Sequence, residues 1–140
     1  METVIRPGMK AILIAEDEPN NRLLLKRLLG RAGFALAEVG NGQEAVEKWR
    51  QWRPHLIFMD EDMPMMKGSE ATREIQAAAA ADGGSKPVIV SLTAYALEQA
   101  RAAALASGSA DFVAKPFRPH ELFTVISKHL ALEYTFREAA

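Results

Sequence analysis

Apolar residues fall along this chain in short solid blocks, each ended by acids, a hydroxyl or a lysine, and stretches at helical spacing separate them. Ala11-Ile12-Leu13-Ile14-Ala15 has no polar alternation and stops at Glu16-Asp17-Glu18-Pro19, which suits a strand buried on both faces better than a helix. Pro19 and Asn20 open a helix in which Leu24 and Leu28, and Leu25 and Leu29, recur until Gly33 closes it. Ala35 to Val39 reads as a weaker second strand, followed by a helix capped at Asn41, with Glu44 three residues on, that runs to Trp52. Leu56-Ile57-Phe58-Met59 repeats the solid apolar pattern and ends in Asp60-Glu61-Asp62. Ser69 is the expected N-cap of a third helix reaching Ala81. Val88 to Leu92 forms a fourth strand that stops at Thr93, and an alanine-rich helix from Leu97 to Ser107 ends at Gly108. Asp111 to Ala114 is a short fifth strand, and a last helix from Pro119 places Leu122, Ile126 and Leu130 on one face.

Five strands alternating with five helices through short connections predict an α/β protein: a doubly wound five-stranded parallel sheet, covered on both faces by right-handed crossovers. Residues 9–131 are expected to form the domain, with 1–8 and 132–140 as flanking segments. At 140 residues and 49% hydrophobic, the chain can bury one core. The net charge of -1 provides no overall field for nucleic acid or an anionic membrane, so a charged ligand must be held locally. The lack of cysteine excludes disulfides and thiolate metal sites. With no long apolar stretch and no secretory signal, we expect a soluble, cytoplasmic protein without a membrane partner.

Ligands of an open parallel sheet bind beyond the carboxyl ends of its strands. The residues there are Glu16 and Asp17, then Asp60 and Asp62, then Thr93, then Lys115. Carboxylates converging in one crevice repel one another, and a hard divalent cation relieves this; Mg2+ fits best, since it needs only one or two carboxylates plus a phosphoryl oxygen. A hydroxyl and an ammonium facing them supply donors for a phosphoryl group in flight, with Asp60 as the nucleophile. Against this stand plainer readings. Glu18, Glu61 and Glu70 read as solvated loop acids, and Thr93 alone could be a helix cap. Phe112, Trp49 and Trp52 read as packing residues, and His55, His120 and His129 as surface residues without metal-ligand spacing.

The order of these motifs resembles the receiver domain of two-component response regulators and hybrid sensor histidine kinases. The motifs are Glu16-Asp17, Asp60, Met63-Pro64 with Gly68 beyond, Thr93-Ala94, and Lys115-Pro116-Phe117. The resemblance implies the flavodoxin-like, or CheY-like, strand order 2-1-3-4-5. It implies that Asp17, Asp60 and the backbone carbonyl of Asp62 hold Mg2+, with Glu16 acting through water, and that Thr93, the Ala94 amide and Lys115 take phosphoryl oxygens. It also implies a cis Lys115-Pro116 bond, a phosphohistidine donor on a sensor histidine kinase or histidine phosphotransfer protein, and a switch in which Thr93 and Phe112 alter the face around the fourth helix and fifth strand.

Glu16 stands where many receivers carry aspartate, Asp62 where a neutral side chain is usual, Lys67 where an acid is common, and Phe112 lacks a tyrosine hydroxyl. Tyr95, two residues past Thr93, borders the phosphoryl site and is expected to shield it from water. The dense acidic rim of Glu61 and Asp62 leads us to expect tight magnesium dependence and an altered aspartyl-phosphate lifetime. The decay rate and metal affinity of Asp62→Asn test this, and unchanged values would refute it. Rival readings are a Toprim-like magnesium domain acting on nucleic acid, which Asp60-Glu61-Asp62 superficially suits, a haloacid-dehalogenase-like phosphatase, a flavodoxin-like flavin carrier, and an unphosphorylated receiver acting as a binding module. Balanced charge and the otherwise unneeded Thr93 and Lys115 weigh against the first, the lack of that family's acid-any-acid motif after the first strand against the second, the acidic loop after that strand against the third, and the complete site against the fourth.

Overall fold

The solid apolar blocks become the interior of a parallel sheet because both of their faces are covered. A computed structural model of the chain describes residues 2–5, 10–84, 86–94, 97–130 and 134–137. In chain order its elements are β1 (Glu2–Ile5), β2 (Ala11–Ala15), α1 (Pro19–Arg31), β3 (Ala35–Val39), α2 (Gly42–Trp52), β4 (Leu56–Asp60) and α3 (Gly68–Ala81). There follow β5 (Val88–Thr93), α4 (Leu97–Ser107), β6 (Asp111–Ala114), α5 (Pro119–Leu130) and β7 (Tyr134–Arg137). The main sheet is parallel, in the order β3-β2-β4-β5-β6, which is 2-1-3-4-5 when its own strands are counted.

Alternate residues of each strand serve two separate cores. Ile12, Ile14, Leu56 and Phe58 pack with Leu25 and Leu29 of α1 and Leu122 and Ile126 of α5. Leu13, Ala15, Ile57 and Met59 face the other way, against Trp49 of α2 and Ile75 of α3. The register Ala15↔Met59, Asp60↔Leu92 and Thr93↔Ala114 aligns the carboxyl ends of four strands.

Local chemistry sets the helix ends. Asn41 and Glu44 cap α2 reciprocally: Asn41 Oδ1 accepts from the Glu44 N–H at 2.8 Å, and Asn41 Nδ2 donates to Glu44 Oε1 at 2.9 Å. Glu18, expected to be a solvated acid, instead caps α1, its carboxylate accepting from the N–H groups of Asn20 (3.1 Å) and Asn21 (2.7 Å). The third helix has its N-cap at Lys67, two residues before the expected cap Ser69, with no side-chain cap hydrogen bond from that residue.

Two histidines expected at the surface have structural partners. His55 Nδ1 accepts the Ala11 N–H at 3.0 Å, and His129 Nε2 lies 3.0 Å from Asp111 Oδ2. Burial disfavours the Asp111 carboxylate, but His129, the Phe112 N–H and Lys128 outweigh it and hold its pKa below the ordinary value. The flanks hold a further pair of strands that the sequence pattern did not predict. β1 and β7 run antiparallel, from Glu2↔Arg137 to Ile5↔Tyr134. Among the described residues no helix is long and apolar enough to cross a membrane.

Candidate functional site

At the carboxyl ends of the strands the backbone gathers the residues singled out in the sequence. Asp60 ends β4 and is 3% exposed, while Thr93 ends β5 and is buried. Glu16 follows β2 directly, and its N–H donates to the Val39 carbonyl, which fixes its direction. The Lys115 N–H donates to the Thr93 carbonyl at 2.7 Å, so the lysine leaves β6 pointing across the strand ends. The Lys115-Pro116 bond is cis. The Lys115 Nζ donates to Glu16 Oε1 at 2.8 Å and to Asp60 Oδ1 at 2.9 Å. Asp17 is exposed and completes a triad with Glu16 and Asp60, whose carboxylate oxygens lie within 4.8 Å of one another.

Three carboxylates share one ammonium, and their electrostatics show the imbalance. Burial, and then Glu16, push the Asp60 pKa up to about 7. Burial, and then Asp60, raise that of Asp17. Burial works against the Lys115 ammonium, but Glu16 and Asp60 prevail and leave its pKa above the ordinary lysine value. Glu16 Oε2 is buried without a hydrogen-bond partner. An orphaned carboxylate oxygen at this depth is costly, and an oxygen-seeking divalent cation beside it would offset that cost. The donor set therefore fits a hard cation.

The loop after Asp60 is packed tightly against it. A Cβ on Gly68 would lie 2.2 Å from the Asp60 carbonyl oxygen, which is backbone and cannot swing away. Gly68→Ala is therefore expected to destabilise the protein by about 1–3 kcal/mol, as overpacking does, seen as a lower urea midpoint with unchanged slope. The Asp62 N–H donates to Asp60 Oδ1 at 3.3 Å, and the Asp62 side chain is exposed. Glu61, expected to be a solvated rim acid, turns away from the triad toward α3, where it accepts from the Ser69 N–H (2.9 Å) and hydroxyl (2.8 Å). The acidic rim is thus narrower than the sequence suggests. Glu70 is exposed.

Ala94 follows Thr93 and is exposed, while Tyr95 lies outside the described residues. Phe112 is half-buried on edge strand β6, where with His120, Thr124 and Val125 it lines a groove of about 320 Å³.

Residues 12–127 match the response regulator receiver domain family. The chemotaxis protein CheY of Thermotoga maritima is 34% identical over 120 residues, which cover 85% of this chain and 96% of CheY. The sensor protein GacS of Pseudomonas syringae is 36% identical over 121 residues, 86% of this chain but 13% of GacS. Among solved structures, the Saccharomyces cerevisiae Ssk1 receiver domain, co-crystallised with the histidine phosphotransfer protein Ypd1, superposes with a TM-score of 0.83 at 32% identity, covering 86% of this chain and 88% of that one. The receiver of sensor histidine kinase PA1611 from Pseudomonas aeruginosa, with magnesium coordinated in its active-site cleft, has a TM-score of 0.77 at 32% identity, covering 88% and 98%. A doubly wound sheet with an acidic triad and a lysine at its carboxyl edge is the receiver arrangement, and this chain belongs to the response regulator receiver domain family. It is a receiver of two-component phosphorelay signalling. The Toprim-like, phosphatase and flavin-carrier readings fall with that membership.

Proposed function

We propose that this receiver takes a phosphoryl group from a phosphohistidine onto Asp60 in a Mg2+-dependent reaction, and that the modified state presents a changed α4–β6 face. The observation that carries this reading is the Lys115 ammonium bridging Asp60 and Glu16 while Glu16 Oε2 stays unpartnered. Asp17, Asp60 and the Asp62 carbonyl would hold the ion, with Glu16 acting through water. When bound, the ion supplies neutralising charge between the carboxylates and the incoming dianion.

In the transfer an Asp60 carboxylate oxygen attacks phosphorus, the P–N bond to the donor imidazole breaks, and its electron pair returns to the imidazole nitrogen. Lys115 stands where its ammonium can follow the charge from Asp60 onto an equatorial phosphoryl oxygen, with the Thr93 hydroxyl and the Ala94 N–H donating to the others. Hydrolysis of the aspartyl phosphate in the same site would return the resting state, so the domain would govern its own phosphorylation and dephosphorylation. Tyr95 would modulate that step by limiting water.

Preference of Thr93 for the phosphoryl group, followed by Phe112 on the adjoining strand, would shift the population between two packings. A sensor histidine kinase or histidine phosphotransfer protein is the donor this reading requires, in keeping with the likeness to the Ssk1 receiver. Incubation with Mg2+ and a small acyl phosphate should add a phosphoryl mass to the native chain and none to Asp60→Asn. A native chain that gains none from any donor would refute the reading.

A further inference from the structure

We infer that Glu61 is a positioning residue for the phosphoryl site, strapping the residue after Asp60 to the first turn of α3 and so fixing the loop that presents Asp60 and the Asp62 carbonyl. The inference rests on the reading above.

Four hydrogen bonds hold Glu61. Its N–H donates to the Leu92 carbonyl at 3.1 Å, and its carbonyl accepts from the Gly68 N–H at 3.1 Å. Its two carboxylate oxygens accept from the Ser69 N–H and hydroxyl, at 2.9 and 2.8 Å. Residue 61 is therefore tied through its backbone to β5, one residue before Thr93, and through both backbone and side chain to the start of α3.

The helix needs this partner. Lys67 at its N-cap gives no side-chain hydrogen bond, so Glu61 reaches across eight residues to satisfy an N–H of the first turn, where a negative charge is also favoured by the helix dipole. The strap closes the loop of residues 62–67 at its base. Inside that base, Gly68 is pressed on the Asp60 carbonyl, and the Asp62 N–H reaches Asp60 Oδ1. Anything that lets α3 drift from residue 61 shifts those contacts and, with them, the Asp62 carbonyl. The strap also draws one carboxylate away from a triad that already outnumbers its ammonium.

Groups that orient the ligands of a metal typically change its affinity by about 10–100-fold when removed, and Glu61→Ala is expected to weaken Mg2+ binding by about tenfold, measured by calorimetry on the full chain well below its melting temperature. Phosphoryl uptake at subsaturating Mg2+ should slow in proportion and recover at saturation. Ser69→Ala should move in the same direction, and the double variant should be no worse than Glu61→Ala alone, because both remove one interaction. Glu61→Gln can still accept the Ser69 N–H and donate to its hydroxyl, so it should restore affinity to within about threefold of native.

A lower melting temperature with native Mg2+ affinity in Glu61→Ala would overturn the inference and leave phosphorylation of Asp60 standing. Glu61→Gln as impaired as Glu61→Ala would assign the effect to charge and overturn the strap. A native chain that binds no Mg2+ and takes no phosphoryl group would overturn both this inference and the function it rests on.

Discussion

Lys115→Ala is expected to slow phosphoryl uptake by about 10²–10³-fold, the usual loss when one preorganised donor is removed from a site of developing charge. It is also expected to destabilise the fold. In the native chain one ammonium answers both Glu16 and Asp60, which are almost wholly buried, and without it two carboxylates face each other at depth. Removing one partner of a buried ion pair typically costs about 3–5 kcal/mol. Part of that cost is avoidable here, because Asp60 already has a pKa near 7 and can accept a proton. The destabilisation should therefore be smaller at about pH 5 than at about pH 8, a difference that urea titrations at the two values would read. Equal losses at both would show that Asp60 does not take up the proton.

Asp60→Asn should have the opposite effect on stability, making the metal-free protein more stable while abolishing its chemistry. The sign follows from the pKa. Folding raises that of Asp60 from 3.8 to about 7, so the folded chain binds a proton that the unfolded chain releases. The associated stability is fully present below 3.8 and is lost as pH rises through about 7. Above that point the native chain carries a penalised charge, worth on the order of a few kcal/mol at roughly 1.4 kcal/mol for each tenfold change in proton affinity. Asparagine removes the penalty, so the variant should melt higher than native protein at about pH 8 and nearly the same at about pH 4. Added Mg2+ should reverse the order, stabilising the native chain by binding its folded state and the variant far less. A variant that melts below native protein at alkaline pH without metal would contradict this account of the triad.

The strands were legible because burial on both faces leaves an unmistakable pattern. Ala11 to Ala15 and Leu56 to Asp60 are two of the three inner strands, β2 and β4, and the acids that end them meet at one edge as the topology requires. What escaped was the work of polar side chains whose partners the sequence does not mark. Glu18 and Glu61 both look like solvated loop acids, yet each satisfies the start of a helix, Glu18 through N–H groups two and three residues on and Glu61 through one eight residues away, a reach that leaves no signature distinct from solvation. The same holds for His129 against Asp111 and His55 against the Ala11 N–H, which depend on tertiary contact. β1 and β7 pair across nearly the whole chain and are four residues each, too short for periodicity to reveal.

The most direct test is transfer from a phosphorylated histidine phosphotransfer protein in Mg2+, with intact mass and peptide mapping of the product. A phosphoryl group should appear on the peptide containing Asp60, be absent from Asp60→Asn, and fail to form in chelator. A native chain that stays unmodified with every donor, or a phosphoryl group retained by Asp60→Asn, would contradict the assignment.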